Sequence, residues 1–515
     1  MKRWLKRIAI ALATLFGLLV AFAATVAWLA SQGYLQSWGL RQGQKGLLKE
    51  FPELAAPAGA WQPAVAPSAP ESPAQIYSLS NIWPARLSFT AEQWKGIAPS
   101  SIPPVKNMFE HGRIKLLNPE ASRNGLAGAV GIEFNWTPGT LVFAETAFSN
   151  VAVRYRGNGT YLNSLFGPKQ SFKVDLNKFE KGQDLAGLDE FNFLNSIADD
   201  TYLRDAMSEQ LFRKLGVPAP RTGYAYLTLH VPGKFENQPL GLYVLAENID
   251  SDFAKDRFGS KKTPIFKPVT YELFDYLGEN WEAYDRTYDL KTEATPEQLK
   301  RVTEFARLVS KGDDEEFNRR LPEFLDLEEF AAFVAGHVLL SSCDGFLANG
   351  QNYFMYLDPR TDKFGFISWD HDHSFGEFGY VQTAERRERM SIWEPYLYEF
   401  RFLARVMKNE AFREVYRTRL ETALEQHFTE QRLSAEVDRL ASMLRPAVAA
   451  ESSFRLRRFE KAVSDTWDSS SRDGTPEGPR SPVRPIKQFI KNRIESVRAQ
   501  LEGKSEGLVL RRSSY

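Results

Sequence analysis

The chain has 515 residues, with 65 Lys and Arg against 65 Asp and Glu and a formal net charge of zero. That balance excludes capture of nucleic acid by bulk charge, and the single cysteine, Cys343, excludes an intramolecular disulfide. The length exceeds one typical compact domain but fits one large domain with appendages, and 43% hydrophobic residues supply a sizeable core.

At the N-terminus, Lys2, Arg3, Lys6 and Arg7 precede an uncharged apolar run from Ile8 to Ala30. The run is long enough to cross a bilayer core, which takes roughly 20 residues, and exceeds the ~7–15 residues of a signal-peptide core. Residues 1–30 therefore read as a basic segment and transmembrane anchor. The flanking cations put the N-terminus in the cytoplasm and the body in the periplasm or outside the cell. Small residues at Ala21, Ala23 and Ala24 keep a cleaved signal peptide as the alternative. Residues 31–75 form a Pro/Ala-rich linker, with six prolines from Pro52 to Pro73, expected to be extended and semi-rigid.

The body, 76–502, divides into a β-rich lobe (76–290) and a helical lobe (291–502), before a basic tail (503–515). In the first lobe VAVRY (Val151–Tyr155), SFKVDL (Ser171–Leu176), YAYLTLHV (Tyr224–Val231) and GLYVLAE (Gly241–Glu247) read as strands, the last two joined as a hairpin. A helix with Asp200 as its cap and Leu203, Met207, Leu211 and Leu215 as its stripe ends at Gly216. In the second lobe a helix starts at Pro296. Another follows Asp326, with Glu329 in a capping-box position. After the polar loop SSCDGFLANGQ, the segment from Asn352 to Asp370 reads as a hairpin turning at Pro359 to Asp362. The order of elements makes an α+β chain.

The chemistry concentrates in WDHDHSFG, Trp369 to Gly376. Asp370 and Asp372 follow a strand, and an extended backbone would point both to one side. Carboxylate oxygens favour Mg2+ or Mn2+; zinc remains the reading if the chain turns and brings in His371 and His373. Upstream, Asp344 and Asn349 stand five apart, the spacing of a phosphotransfer loop that supplies an Asp base and an Asn metal ligand. Asn352 is a second amide within reach. For the phosphates, RYRGNGTY offers Arg156 and Asn158 around two glycines, although a plain hairpin turn explains the same residues. Lys169 and Lys173, four apart, would share one face of a straight strand. Glu247 ends a strand, and Lys267 in IFKP is a further phosphate contact. Cys343 and His337 read as packing residues, the histidine satisfied within the core.

Seven blocks in order, RYRGNGTY, KQSFKVDL, FNFLNSIADDTYLRD, GLYVLAENID, IFKP, DGFLANGQNYFMY and SWDHDHSFG, resemble the CotH protein kinase family, known from spore coat kinases. The similarity runs over roughly 76–501. It implies a divergent protein-kinase-like, two-lobe fold and transfer of the ATP γ-phosphate, with a divalent metal, to protein Ser/Thr. On that resemblance Asp344 matches the Asp of the Asp…Asn-Tyr block, Asp370 and Asp372 the Trp-Asp-x-Asp block, and Glu247 the Gly-x-Tyr-x-x-x-Glu block. Lys169 and Lys173 match the lysine-bearing strand, without deciding which meets nucleotide. The family often has Pro where Ser368 stands and a small or apolar residue where His371 stands.

The sequence thus points to a membrane-anchored, Mg2+- or Mn2+- and ATP-dependent phosphotransferase with an unidentified protein substrate and no nucleic-acid partner. Asp344 is catalytic; Asp370, Asp372 and Asn349 hold metal; Lys169, Lys173, Glu247, Arg156, Asn158 and Lys267 meet the nucleotide. Two alternatives stand beside it: another ATP-dependent transfer or ligation on the same site, and a catalytically silent envelope binding protein. A body outside the cytoplasm meets little ATP, which bears on all three.

Overall fold

The computed structural model describes residues 67–103, 123–164, 167–379, 381–398, 400–467 and 482–510, with short stretches between 45 and 64 and between 109 and 116. The expected membrane anchor, most of the linker and the end of the basic tail lie outside the described residues. Among the described residues no helix is long and apolar enough to cross a membrane.

Seven strands close into a barrel: β1 (Ile82–Ser88), β2 (Thr137–Phe143), β3 (Thr146–Tyr155), β4 (Phe172–Asp175), β5 (Glu190–Leu194), β6 (Thr222–Val231) and β7 (Phe235–Ala246). The order around the barrel is β1-β2-β3-β4-β5-β7-β6. Neighbours are antiparallel except the closing pair, β1 with β6. Closure removes the open edges that a sheet would otherwise expose. Alternation builds the interior: Leu141 and Phe143, Val151 and Val153, Phe172 and Val174, Phe191 and Phe193, and Leu227 and Leu229 are all buried in one cluster. The strands expected from VAVRY, SFKVDL, YAYLTLHV and GLYVLAE are present, the last two antiparallel neighbours.

The glycine turn behaves differently from the hairpin reading. Gly157, at φ +77°, turns the chain after β3 into a short helix, α1 (Asn158–Asn163). A loop then returns to β4. Lys169 lies in that loop and only Lys173 on the strand, so the expected straight strand carrying both lysines does not form.

Helix α2 (Arg204–Lys214) crosses between the barrel and the helices. It starts later than an Asp200 cap would place it, with Leu203 at the N-cap and no side-chain cap bond. Asp199 instead gathers the backbone N–H groups of Thr201 and Arg204. The expected stop holds: Gly216 follows at φ +84°.

The helical half is built on α3 (Pro296–Lys311), α4 (Leu327–Leu339), α5 (Glu410–Gln426), α6 (Glu430–Glu451), α7 (Ser453–Ala462) and α8 (Ile486–Leu501). α4 is buried on all sides from Phe330 to Leu339, and is therefore the core helix of this half. Asp326 caps it by accepting from the N–H groups of Glu328 and Glu329. The Glu329 carboxylate does not close a capping box; it turns inward to Tyr356 and Phe366. The expected hairpin is β9 (Tyr353–Asp358) with β10 (Lys363–Ser368). β8 (Ile265–Phe266), from the first half of the chain, pairs with β9. This small sheet carries Lys267 to the end of β10. The architecture is a mixed α+β fold of barrel and helices, compatible with two lobes.

Candidate metal and nucleotide site

The hairpin ladder ends at the Tyr353–Ser368 rung. Asn352 and Trp369 therefore leave the sheet side by side. Asp370 then adopts a left-handed backbone, φ +65°, so the extended geometry expected across Asp370 and Asp372 is not what aligns them. The chain does turn, yet His371 is sent into the core and does not join the carboxylates as a metal ligand. It is 1% exposed. Its backbone N–H donates to Asp205 Oδ1 at 2.7 Å, and its Nε2 lies 2.7 Å from Ser368 Oγ. Ser368 Oγ donates to Glu209 Oε2 at 2.6 Å. The imidazole stacks on Phe212, with ring centroids 5.0 Å apart. Burial pushes its pKa down to about 3, so the ring is neutral. Asp205, Glu209 and Phe212 are all on α2, which thus underlies the whole loop. Ser208, on the same helix, is 2.8 Å from Ser374 through the two hydroxyl oxygens. Gly336 on α4 makes room, since a Cβ there would stand 2.4 Å from the Phe212 ring.

This scaffold crowds like charges together. Asp205 is buried, and its pKa is raised well above the usual carboxylate range, first by burial and then by Asp372 and Asp370. Three carboxylates therefore repel one another across one locality, and hard oxygen donors of this kind suit Mg2+ or Mn2+. Above Trp369 lie two cations. The Arg156 guanidinium is 5.3 Å from the ring centroid and the Lys267 ammonium 5.7 Å. Arg156 Nη1 is buried without a hydrogen-bond partner among the described residues. Lys267 makes no ion pair among the described residues. Burial, then repulsion from Lys291, lowers its pKa to about 8 against the opposing pull of Asp370.

The Asp344 loop is tied to the same place. Asn349 Nδ2 donates to Asp344 Oδ1 at 2.5 Å, so the five-residue spacing does bring the two together. Asn352 Nδ2 donates to the Asp344 carbonyl at 2.8 Å, linking this loop to the strand end from which Trp369 departs.

The remaining residues of the sequence reading occupy other surroundings. Lys173 pairs with Glu190 at 2.8 Å on the outer face of the barrel. Glu190 also contributes to the field at Arg156, which joins this pair to the site. Lys169 pairs with Glu451 at 2.5 Å. Glu247 is engaged by the backbone N–H and guanidinium of Arg221 and by Arg257. It lines a separate acidic cleft of about 430 Å³ with Asp189, Glu190, Asp250, Asp252 and Asp256. Asn158 opens α1. Cys343 is buried, its thiol pushed up to about 11, as suits a packing residue. His337 is in the core as expected, but neither ring nitrogen has a hydrogen-bond partner among the described residues.

Sequence reasoning passed over Asp205, Glu190, Glu209 and Glu451. Asp205 was within reach, because it ends FNFLNSIADDTYLRD, one of the seven blocks. The other three have no local signature.

The sequence model of the CotH kinase protein family matches residues 153–497. The chain belongs to that family. The matched span holds every residue of the site, from Arg156 to Asp372. One relative, the inner spore coat protein H of Bacillus subtilis (strain 168), is 24% identical over 285 residues, covering 54% of this chain and 74% of that protein. Kinase-like character thus rests on the family match, and at this identity the relative's own role stays with the relative.

Proposed function

We propose that this protein is a Mg2+- or Mn2+- and ATP-dependent phosphotransferase that moves the γ-phosphate to Ser or Thr of a protein substrate, from a body tethered to the membrane. The observation that carries it is the crowding of three mutually repelling carboxyl groups next to two cations around Trp369. Asp205, Asp370 and Asp372 repel one another, while Arg156 and Lys267 lie over Trp369 within the field of Asp370. A site of this composition fits a divalent cation and a phosphate chain together, since each supplies the charge that the other group lacks.

In this reading Asp370 and Asp372 hold the cation, with the Asn349 amide oxygen as a further ligand. The bound cation supplies neutralisation of charge on the phosphate oxygens. Arg156 and Lys267 bind those oxygens from the other side, and Lys173 adds positive charge from the barrel wall. Asp344, oriented by Asn349, accepts or orients the proton of the incoming hydroxyl. The rate gain comes from positioning and electrostatics on a rigid frame.

The test is nucleotide binding and transfer by the purified protein. Mg-ATP should raise the melting temperature, and γ-labelled ATP should label a protein acceptor. Absence of any Mg-ATP or Mn-ATP stabilisation would overturn the reading. Mass spectrometry of the products distinguishes γ-phosphate transfer from transfer of AMP.

A further inference from the structure

We infer that Glu209, Ser368 and His371 form a hydrogen-bonded brace that positions Asp370 and Asp372 to bind the cation; this rests on the phosphotransferase reading. None of the three touches the reacting atoms, so they are positioning residues.

With Ser368 as the donor to Glu209, the direction of the other bond follows. Ser368 Oγ has one hydrogen, which it donates to Glu209 Oε2 at 2.6 Å. It must then accept from His371 Nε2, 2.7 Å away. This selects the imidazole tautomer with its proton on Nε2 and leaves Nδ1 bare, in agreement with its lack of a partner. The same residue is held by its backbone, whose N–H donates to Asp205 Oδ1 at 2.7 Å. His371 is thus fastened at ring and backbone, between the two aspartates.

The fastening has work to do. Asp370 sits at φ +65°, a conformation that costs a non-glycine residue free energy and persists only where the surroundings over-determine it. A loop free to relax would swing both carboxylates out of register. Groups that orient metal ligands from outside control affinity strongly, and their loss typically weakens binding about 10- to 100-fold. The brace reaches α2, a helix held between the barrel and α4, so the loop inherits the rigidity of the core.

The test is Mn2+ binding by the full chain in the presence of ADP, read by electron paramagnetic resonance well below the melting temperature. Four variants are compared with wild type: Ser368→Ala, His371→Phe, His371→Gln and Leu420→Ala. The first two break the relay, and His371→Phe keeps a ring on Phe212. His371→Gln keeps an N–H donor near Ser368. Leu420→Ala, in the core of α5, lowers stability away from the loop. Ser368→Ala and His371→Phe should weaken Mn2+ about tenfold or more, with phosphotransfer restored at saturating Mn2+. His371→Gln should stay close to wild type, and Leu420→Ala should bind Mn2+ normally despite its lower melting temperature. Wild-type affinity in Ser368→Ala and His371→Phe overturns the brace alone. So does a loss in Leu420→Ala that matches theirs, or a His371→Gln no better than His371→Phe. A wild-type protein that binds no Mn2+ overturns the phosphotransferase reading and the brace with it.

Discussion

Glu451, the last residue of α6, accepts bonds from Lys169, from the Tyr202 hydroxyl and from the Leu242 N–H. Beyond the end of β10, Asp370 and Asp372 instead face a third carboxylate, Asp205, while Arg156 and Lys267 gather over Trp369. Both clusters join the barrel to the helices; Glu451 is buried, whereas Asp370, Asp372, Arg156 and Lys267 are half-buried. In the first, each charge closes on an opposite one, and Arg455 adds a second cation 3.8 Å from Glu451. In the second, like charges are held together by a rigid frame. Burying a charge is costly, so a protein tolerates it where a partner is built in or where a ligand brings one. On the proposed function, the Glu451 cluster would serve the fold and the Trp369 cluster the ligand.

The strongest way to break this contrast is Asp372→Ala. Phosphotransfer should fall by at least about 10³-fold, ~4 kcal/mol of transition-state stabilisation. The melting temperature should change far less than the activity, because removing the charge relieves the repulsion on Asp205. A collapse of stability in circular dichroism would place Asp372 in the structural class. The converse is Glu451→Gln, which leaves the Lys169 ammonium buried against an amide N–H. It should cost about 3 kcal/mol or more of stability in urea denaturation. The double variant Lys169→Met/Glu451→Gln should recover much of that loss. If the single variant unfolds no more easily than wild type, the pair is not a structural lock.

Much of the ladder and loop chemistry was legible in the sequence because it is local. Alternation marked the barrel strands, the turn residues marked the β9–β10 hairpin, and the five-residue spacing, followed in order by the hairpin and the second acidic cluster, singled out Asp344 and Asn349. What failed depended on residues far apart in the chain. The Asp205–His371 bond spans 166 positions and the Lys169–Glu451 bond 282. No periodicity encodes them. Barrel closure through a parallel β1–β6 pair was hidden for the same reason. The reading of Asp370 and Asp372 as an extended pair failed because tertiary bonds at His371 overrode the local strand geometry. Glu329 stood in a capping position, but Tyr356 and the Phe366 N–H offered it better partners.

A smaller effect separates the two cations of the open cluster from the lysine of the closed one. Lys267→Met keeps most of the apolar stem against Phe354 and Trp369 while removing the charge. It should weaken ATP binding about 10- to 100-fold, the scale of one hydrogen bond to a charged group, and leave the melting temperature nearly unchanged. Lys169→Met should act the other way round, lowering the melting temperature more than the affinity. Isothermal titration and thermal melts of the two variants read both axes. Equal loss of affinity in both would erase the distinction between the clusters.

The smallest effect concerns a third buried acid, Glu329, whose donors among the described residues are the neutral Tyr356 hydroxyl and Phe366 N–H. Burial raises its pKa from 4.5 to about 7, opposed by its bonds from Tyr356 and Phe366. The folded protein therefore keeps this proton up to about pH 7, whereas the unfolded chain releases it near pH 4.5. Between those values the native state binds more protons, so stability falls as pH rises. The loss should amount to about 1–3 kcal/mol between pH 4 and pH 8, and Glu329→Gln should flatten that part of the profile. Asp205 carries a slope of the same sign, because its carboxyl is raised too. Added Mn2+ should remove the Asp205 part by neutralising its neighbours and leave the Glu329 part untouched. Urea midpoints of wild type and Glu329→Gln, each with and without Mn2+, divide the two. A profile of Glu329→Gln that is unchanged by Mn2+ would mean that the three aspartates meet no cation, and the open cluster would have to be explained as fold.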